Sequence, residues 1–233
     1  MNRQIICALD TSDINEAIAT VKKLGPYVGA FKIGHALTLA RGLSVIDELK
    51  DAGAGRIFLD LKFHDIPNSV ALAVREAARR GVWMMTVHIS GGPAMLTAAV
   101  EETKNYDEDH RPLLIGVSVL TSLDQSILTH DLGISRTVED QMVSLSQLAM
   151  ECEMDGVVCS PLEIKPIRHA LGKRGVIVTP GIRVGTGDNH DQKRTGDANQ
   201  AIADGADYLV VGRALTHAVD IEDTMKQFGM VPA

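Results

Sequence analysis

Ile57-Phe58-Leu59-Asp60-Leu61-Lys62-Phe63-His64-Asp65-Ile66-Pro67-Asn68 carries a short apolar run, Ile57–Leu61, into a knot of charge and then into a turn. Side chains alternate faces along a strand, so Asp60 and Lys62 share one face while Leu59 and Leu61 point to the other. Asp65 lies just beyond the strand. Pro67 and a capping Asn68 then lead the chain into the helical stretch Ser69–Arg80, closed by Gly81. A strand that gathers charge where it hands over to a helix is the unit to look for elsewhere.

That unit recurs. Apolar runs fall at Ile5–Leu9, Val28–Ile33, Ile57–Leu61, Met84–Ile89, Leu113–Leu120, Gly156–Cys159, Val176–Thr179 and Tyr208–Val211, eight in all. Several are apolar at nearly every position, as expected for parallel strands covered on both faces. Between them lie helical patterns at Ile14–Leu24 (capped by Ser12 or Asp13), Val138–Met150, Pro161–Leu171 and Asn199–Asp204, with Ile221–Phe228 at the end. An open doubly wound sheet with a dinucleotide site would carry Gly-x-Gly-x-x-Gly after an early strand, and the sequence has none there. Eight βα units without a break in composition predict an α/β fold, a closed (β/α)8 TIM barrel forming one catalytic domain over residues 1–233. Chemistry in such a barrel sits where strands end.

Composition narrows the function. The chain has 233 residues, 45% of them hydrophobic, enough for one sizeable core. Its net charge is −7 and its aromatic share 3%, so neither a basic surface nor a set of stacking platforms is available for nucleic acid. Cys7, Cys152 and Cys159 are scattered and odd in number, unlike a disulfide framework or a zinc knuckle. The first apolar run is too short for a signal peptide, and no stretch reaches the ~18 apolar residues of a membrane helix. A cytoplasmic protein is expected, with no nucleic-acid or membrane partner.

The other strand ends supply the rest of a site. The first run ends at Asp10, and the second places Lys32 inside Ala30-Phe31-Lys32-Ile33-Gly34. A purely structural ion pair at Asp60 and Lys62 is a poor account of four or five charges at one barrel mouth, because buried pairs seldom repay their desolvation. Two nearby carboxylates suit a divalent metal, but the interleaved lysines would repel it. A Schiff-base lysine must be neutral to attack. Lys62 between Asp60 and Asp65 is expected to stay an ammonium, and so to act as a proton donor. His64 and His88 are expected to be hydrogen-bonded structural residues.

The last two runs end in a pattern suited to phosphate. Thr179-Pro180-Gly181-Ile182-Arg183 leads into residues 184–196, which are rich in glycine and polar residues, lack apolar periodicity and include Gln192; this stretch is expected to serve as a lid. Val210-Val211-Gly212-Arg213 ends the eighth run. Barrel enzymes often hold phosphate after strands seven and eight, where glycine admits the oxygens to backbone N–H groups and arginine matches them with its fork.

Asp60-Leu61-Lys62-Phe63-His64-Asp65-Ile66-Pro67-Asn68 resembles the signature of the orotidine 5′-monophosphate decarboxylase family, bacterial type. Ala8-Leu9-Asp10, Lys32-Ile33-Gly34, Val119-Leu120-Thr121-Ser122, Thr179-Pro180-Gly181-Ile182-Arg183 and Gly212-Arg213 fall in that family's order along essentially the whole chain. The Asp-x-Lys-x-x-Asp core is shared with barrel decarboxylases acting on keto-sugar phosphates. Ile66-Pro67-Asn68 with Gly181-Ile182-Arg183 gives the resemblance its specificity.

The resemblance implies decarboxylation of orotidine 5′-monophosphate to UMP without cofactor or metal. Lys62 would protonate the carbon that loses CO2, with Asp60 against the departing carboxylate. Lys32 and Asp10 would meet the ribose hydroxyls. Asp65 and Ser69 would reach a partner's site in a homodimer. Thr121 or Ser122 would meet the pyrimidine, and Arg183, Gln192, Gly212 and Arg213 would hold the phosphate. The carbanion left by CO2 has no conjugated sink, so catalysis would rest on preorganised cations, supplying up to ~20 kcal/mol with help from phosphate binding. Two rivals remain at this point: a metal-dependent sugar-phosphate decarboxylase, and a barrel that only binds a nucleotide.

Overall fold

Parallel strands close on themselves in the order Asn2–Leu9, Tyr208–Val211, Val176–Thr179, Gly156–Val158, Leu113–Val117, Met84–His88, Ile57–Phe63, Val28–Ile33. The computed structural model describes residues 2–183 and 196–228. The barrel strands are β1 (Asn2–Leu9), β2 (Val28–Ile33), β3 (Ile57–Phe63), β4 (Met84–His88), β5 (Leu113–Val117), β6 (Gly156–Val158) and β7 (Val176–Thr179). A two-residue pair follows outside the barrel, β8 (Ile182–Arg183) with β9 (Gly196–Asp197), and β10 (Tyr208–Val211) completes the ring. The eight apolar runs are thus the eight barrel strands. The sequence-based bounds run long at Leu113–Leu120, because the chain leaves the sheet after Val117 and turns, Leu123 N–H donating to the Leu120 carbonyl.

Alternation sorts the core into two compartments. Ile6, Ala8, Ala30, Phe58, Met84, Ile115, Val178 and Val210 fill the barrel interior. Their strand neighbours, among them Ile5, Cys7, Phe31, Leu59 and Met85, pack outward against the helices. Gly156 is required by a close approach. A Cβ there would stand 2.1 Å from the Val176 carbonyl oxygen of the adjoining strand.

Helices lie between strands where the pattern places them, at Ile14–Leu24, Val138–Glu151, Ile164–Leu171, Ala198–Ala203 and Ile221–Gln227. Asp13 caps the first, accepting from Asn15 N–H. Asn68 does not cap its helix. Ile66 is the N-cap, without a side-chain bond, and the helix Pro67–Arg79 starts with proline at its first position. Proline lacks the N–H that a cap would satisfy and its fixed φ suits the first turn, so the start moves upstream of Asn68. Four further helices, His35–Arg41, Val45–Asp51, Pro93–Thr103 and the four-residue Arg213–Thr216, escaped the sequence reading.

The floor of the barrel, at the N-terminal ends of the strands, is fastened by aromatic contacts and two carboxylates. Trp83 and Tyr208 meet edge to face at 5.1 Å, and the Arg56 guanidinium sits 5.0 Å over the Trp83 ring. Asp155 accepts from Arg111 and from Leu114 N–H, while Asp207 accepts from Arg168 and from Ile177 N–H. Each aspartate joins an arginine to the start of a neighbouring strand. The opposite rim is left for other work.

Candidate active site

Four charged side chains converge at the C-terminal rim. Asp10 follows β1, Lys32 points inward from β2, and Asp60 and Lys62 come from β3. Lys62 Nζ lies 2.9 Å from Asp60 Oδ2, Lys32 Nζ 3.7 Å from the same oxygen, and Lys32 Nζ 3.1 Å from Asp10 Oδ1. The register explains the meeting, since Lys32 pairs with Ala8 on one side and Phe58 on the other. The chain of contacts therefore alternates in sign: Asp10, Lys32, Asp60, Lys62.

The backbone departs from a regular strand to achieve this. Leu59 pairs with Met85 and Phe63 with Val87, so β3 spends four residues where β4 spends two. Within that bulge Lys62 adopts φ +52°, a left-handed conformation that non-glycine residues rarely take and that costs on the order of 1–3 kcal/mol. Its N–H, drawn out of the ladder, donates to Thr86 Oγ1 at 3.0 Å. Thr86 Oγ1 in turn donates to Asp60 Oδ1 at 2.9 Å.

Asp60 is a committed anion. Burial favours its neutral form, but Lys32, Lys62 and the hydrogen bonds from Lys62 and Thr86 outweigh that and hold the carboxyl below its usual range. Asp10 is the exposed member, with 69% of its side chain open, against 12% for Lys32, 14% for Asp60 and 31% for Lys62. Burial pushes the nearby Cys7 thiol up to about 12, with Asp10 adding to the effect, so Cys7 is no nucleophile here. Among the described residues no group of three or more His, Cys, Asp or Glu is placed to hold a metal ion.

His64 and His88 border the cluster with ring centroids 5.3 Å apart. His88 is held below the ordinary imidazole range by burial, and by His64 and Lys62, against a smaller opposing pull from Asp60. It is a neutral group at neutral pH. The sequence reading expected hydrogen-bonded histidines; the contact here is ring against ring.

Not every expected residue joins the cluster within one chain. Asp65 is exposed, and its Oδ1 accepts from Ile66 N–H at 2.6 Å. Ser69 is half-buried on the following helix, near exposed Ile66 and Leu72. Thr121 is half-buried and Ser122 exposed in the turn after β5. Gly212 caps the short helix Arg213–Thr216 directly after β10, and a Cβ on it would stand 3.6 Å from Asp10 Oδ2, so this end of the rim adjoins the charged array. Arg213 is exposed. Arg183 contributes backbone to β8 opposite Asp197, while its side chain and Gln192 lie outside the described residues. Thr86 was missed by the sequence reading. A threonine in an apolar strand looks like an ordinary β-former, and the one clue is that position 86 shares the inward phase of Met84.

Residues 3–228 match the model of a family described as "Orotidine 5'-phosphate decarboxylase / HUMPS family". An orotidine 5'-phosphate decarboxylase of Moorella thermoacetica is 46% identical over 220 residues, 93% of this chain and 87% of that one. Its counterpart in Syntrophomonas wolfei is 44% identical over 231 residues, covering 97% and 96%. The crystal structure of the Lactobacillus acidophilus enzyme superposes with a TM-score of 0.85 at 32% identity, over 98% of each chain.

Proposed function

The chain belongs to the orotidine 5'-phosphate decarboxylase / HUMPS family, and on that premise we propose that it converts orotidine 5′-monophosphate to UMP and CO2 in pyrimidine biosynthesis without a cofactor. The alternating array Asp10–Lys32–Asp60–Lys62 is the observation that carries this reading. Breaking the bond to the carboxylate leaves its electron pair on a ring carbon with nowhere to delocalise. A fixed cation beside that carbon stabilises the charge as it forms and needs no reorganisation at the moment of reaction. Lys62 supplies the cation and then the proton, and its amine regains a proton from water. Asp60 keeps Lys62 aimed and faces the substrate carboxylate. As CO2 leaves neutral, the repulsion between these two anions is relieved.

Remaining roles follow position. Asp10 and Lys32 take the ribose hydroxyls, and Thr121 or Ser122 takes the pyrimidine. Gly212, Arg213, Arg183 and Gln192 take the phosphate, whose binding energy is spent at the reacting carbon. A second copy of the chain completes the site. Asp65 and Ser69 are sequence neighbours of the exposed apolar residues Ile66 and Leu72, and a symmetric contact at this segment carries both residues into the partner's pocket. The catalytic unit is a single barrel domain working in the cytoplasm. No described helix is long and apolar enough to cross a membrane.

The test is an ultraviolet assay of the purified chain with orotidine 5′-monophosphate, with and without EDTA. Loss of substrate absorbance that is indifferent to EDTA is expected. Stable absorbance under both conditions would overturn the reading.

A further inference from the structure

We propose that Thr86 is a positioning residue for the decarboxylation: its one hydroxyl fixes both the Asp60 carboxylate and the strained Lys62 backbone, and so sets the line along which the Lys62 ammonium addresses the substrate. The inference rests on the decarboxylase reading above and deepens it.

Thr86 is fully buried on the inward face of β4, directly beneath the charged rim. A hydroxyl has one proton to give and lone pairs with which to accept. Here the proton goes to Asp60 Oδ1 at 2.9 Å and a lone pair receives Lys62 N–H at 3.0 Å. With Oδ1 engaged by Thr86, Oδ2 is the oxygen left for Lys62 at 2.9 Å and Lys32 at 3.7 Å. The carboxylate therefore cannot rotate without giving up a bond.

The second contact acts on the main chain. At φ +52° the Lys62 amide has left the β3–β4 ladder, and the threonine oxygen takes the place of the missing strand acceptor. Losing it would leave a part-buried N–H unpaired inside a bulge that already carries strain. One side chain thus restrains both ends of the Asp60–Lys62 pair. Reactive groups displaced by about 1 Å can lose ~100-fold in rate.

The experiment compares kcat and KM for orotidine 5′-monophosphate in the unaltered chain, Thr86→Val and Thr86→Ser, alongside thermal melting. Valine keeps the branched shape and removes the hydroxyl; serine returns it. A fall in kcat of roughly 10- to 100-fold for valine is expected, with KM within about threefold and kcat largely restored by serine. If folded Thr86→Val keeps the parent kcat and only melts lower, the residue is merely structural and the proposal fails. If valine does not yield folded protein, Thr86→Cys, with its weak donor, is measured against the same criterion. An unaltered chain that consumes no substrate would instead sink the decarboxylase reading, so the two failures are distinguishable.

Discussion

Lys62 reaches Asp60 Oδ2 at 2.9 Å from a backbone held at φ +52°, so the shortest ion pair at the rim hangs from its most strained residue. Strain of this kind persists only where the surroundings over-determine it, here through Thr86 and the β3 bulge. Lys62→Ala removes the cation and leaves in place the residues proposed to hold the phosphate and ribose. Turnover is expected to fall by at least ~10⁴-fold, given that general acid catalysis alone contributes up to about that much. UMP affinity, measured by calorimetry, should remain within about tenfold. Turnover near the parent rate would remove Lys62 from its role.

Asp65 offers a test of the proposed shared site, because it is exposed and its Oδ1 accepts from Ile66 N–H rather than from a lysine of the array. Lys62→Ala and Asp65→Ala chains are each expected to be inactive. In their hybrid dimer one pocket has lost both groups and the other has lost neither. Free exchange of equal amounts should restore about a quarter of the parent activity, since half the dimers are hybrids with one intact pocket each. Absence of recovery after verified exchange would count against action across the interface.

His88 makes stability depend on pH. Its folded-state pKa lies below the ordinary 6.5, so the unfolded chain binds the proton more readily. Its contribution is present in full above about pH 6.5 and drains away as pH falls toward the lowered value. His88→Asn should therefore narrow the loss of melting temperature between pH 7 and pH 5. An identical loss in both proteins would show that His88 is not the sensitive group.

Gly156→Ala addresses the barrel itself. The added Cβ would sit 2.1 Å from the Val176 carbonyl oxygen, a backbone atom that cannot swing aside. Destabilisation of about 3 kcal/mol or more is expected from denaturant titration, at the upper end for overpacking. A parent-like unfolding midpoint would mean that β6 and β7 separate more easily than their register suggests.

Much of this architecture was legible because parallel strands buried on both faces announce themselves as unbroken apolar runs, and Val28–Ile33, Val176–Thr179 and Tyr208–Val211 were bounded to the residue. Pro93–Thr103 escaped because Met95, Leu96, Ala99, Val100 and Thr103 bury so much of the helix that little polar contrast marks its period. His35–Arg41 and Val45–Asp51 have seven residues each, too short to establish one. At the site, spacing by two foretold the meeting of Asp60 and Lys62. The bulge between them was invisible, since no glycine marks position 62 and left-handed strain there is imposed by tertiary contacts. Thr86 was hidden for the converse reason: its residue type satisfies the strand whether or not its hydroxyl has work.

The aromatic floor has a practical corollary. The chain has one tryptophan, and Trp83 occupies the far end of the barrel, about 10 Å down β4 from Thr86 at ~3.3 Å per residue. Its fluorescence therefore monitors the assembled scaffold from a point removed from the chemistry. A variant that goes silent in turnover while its emission stays native has been disarmed without being dismantled.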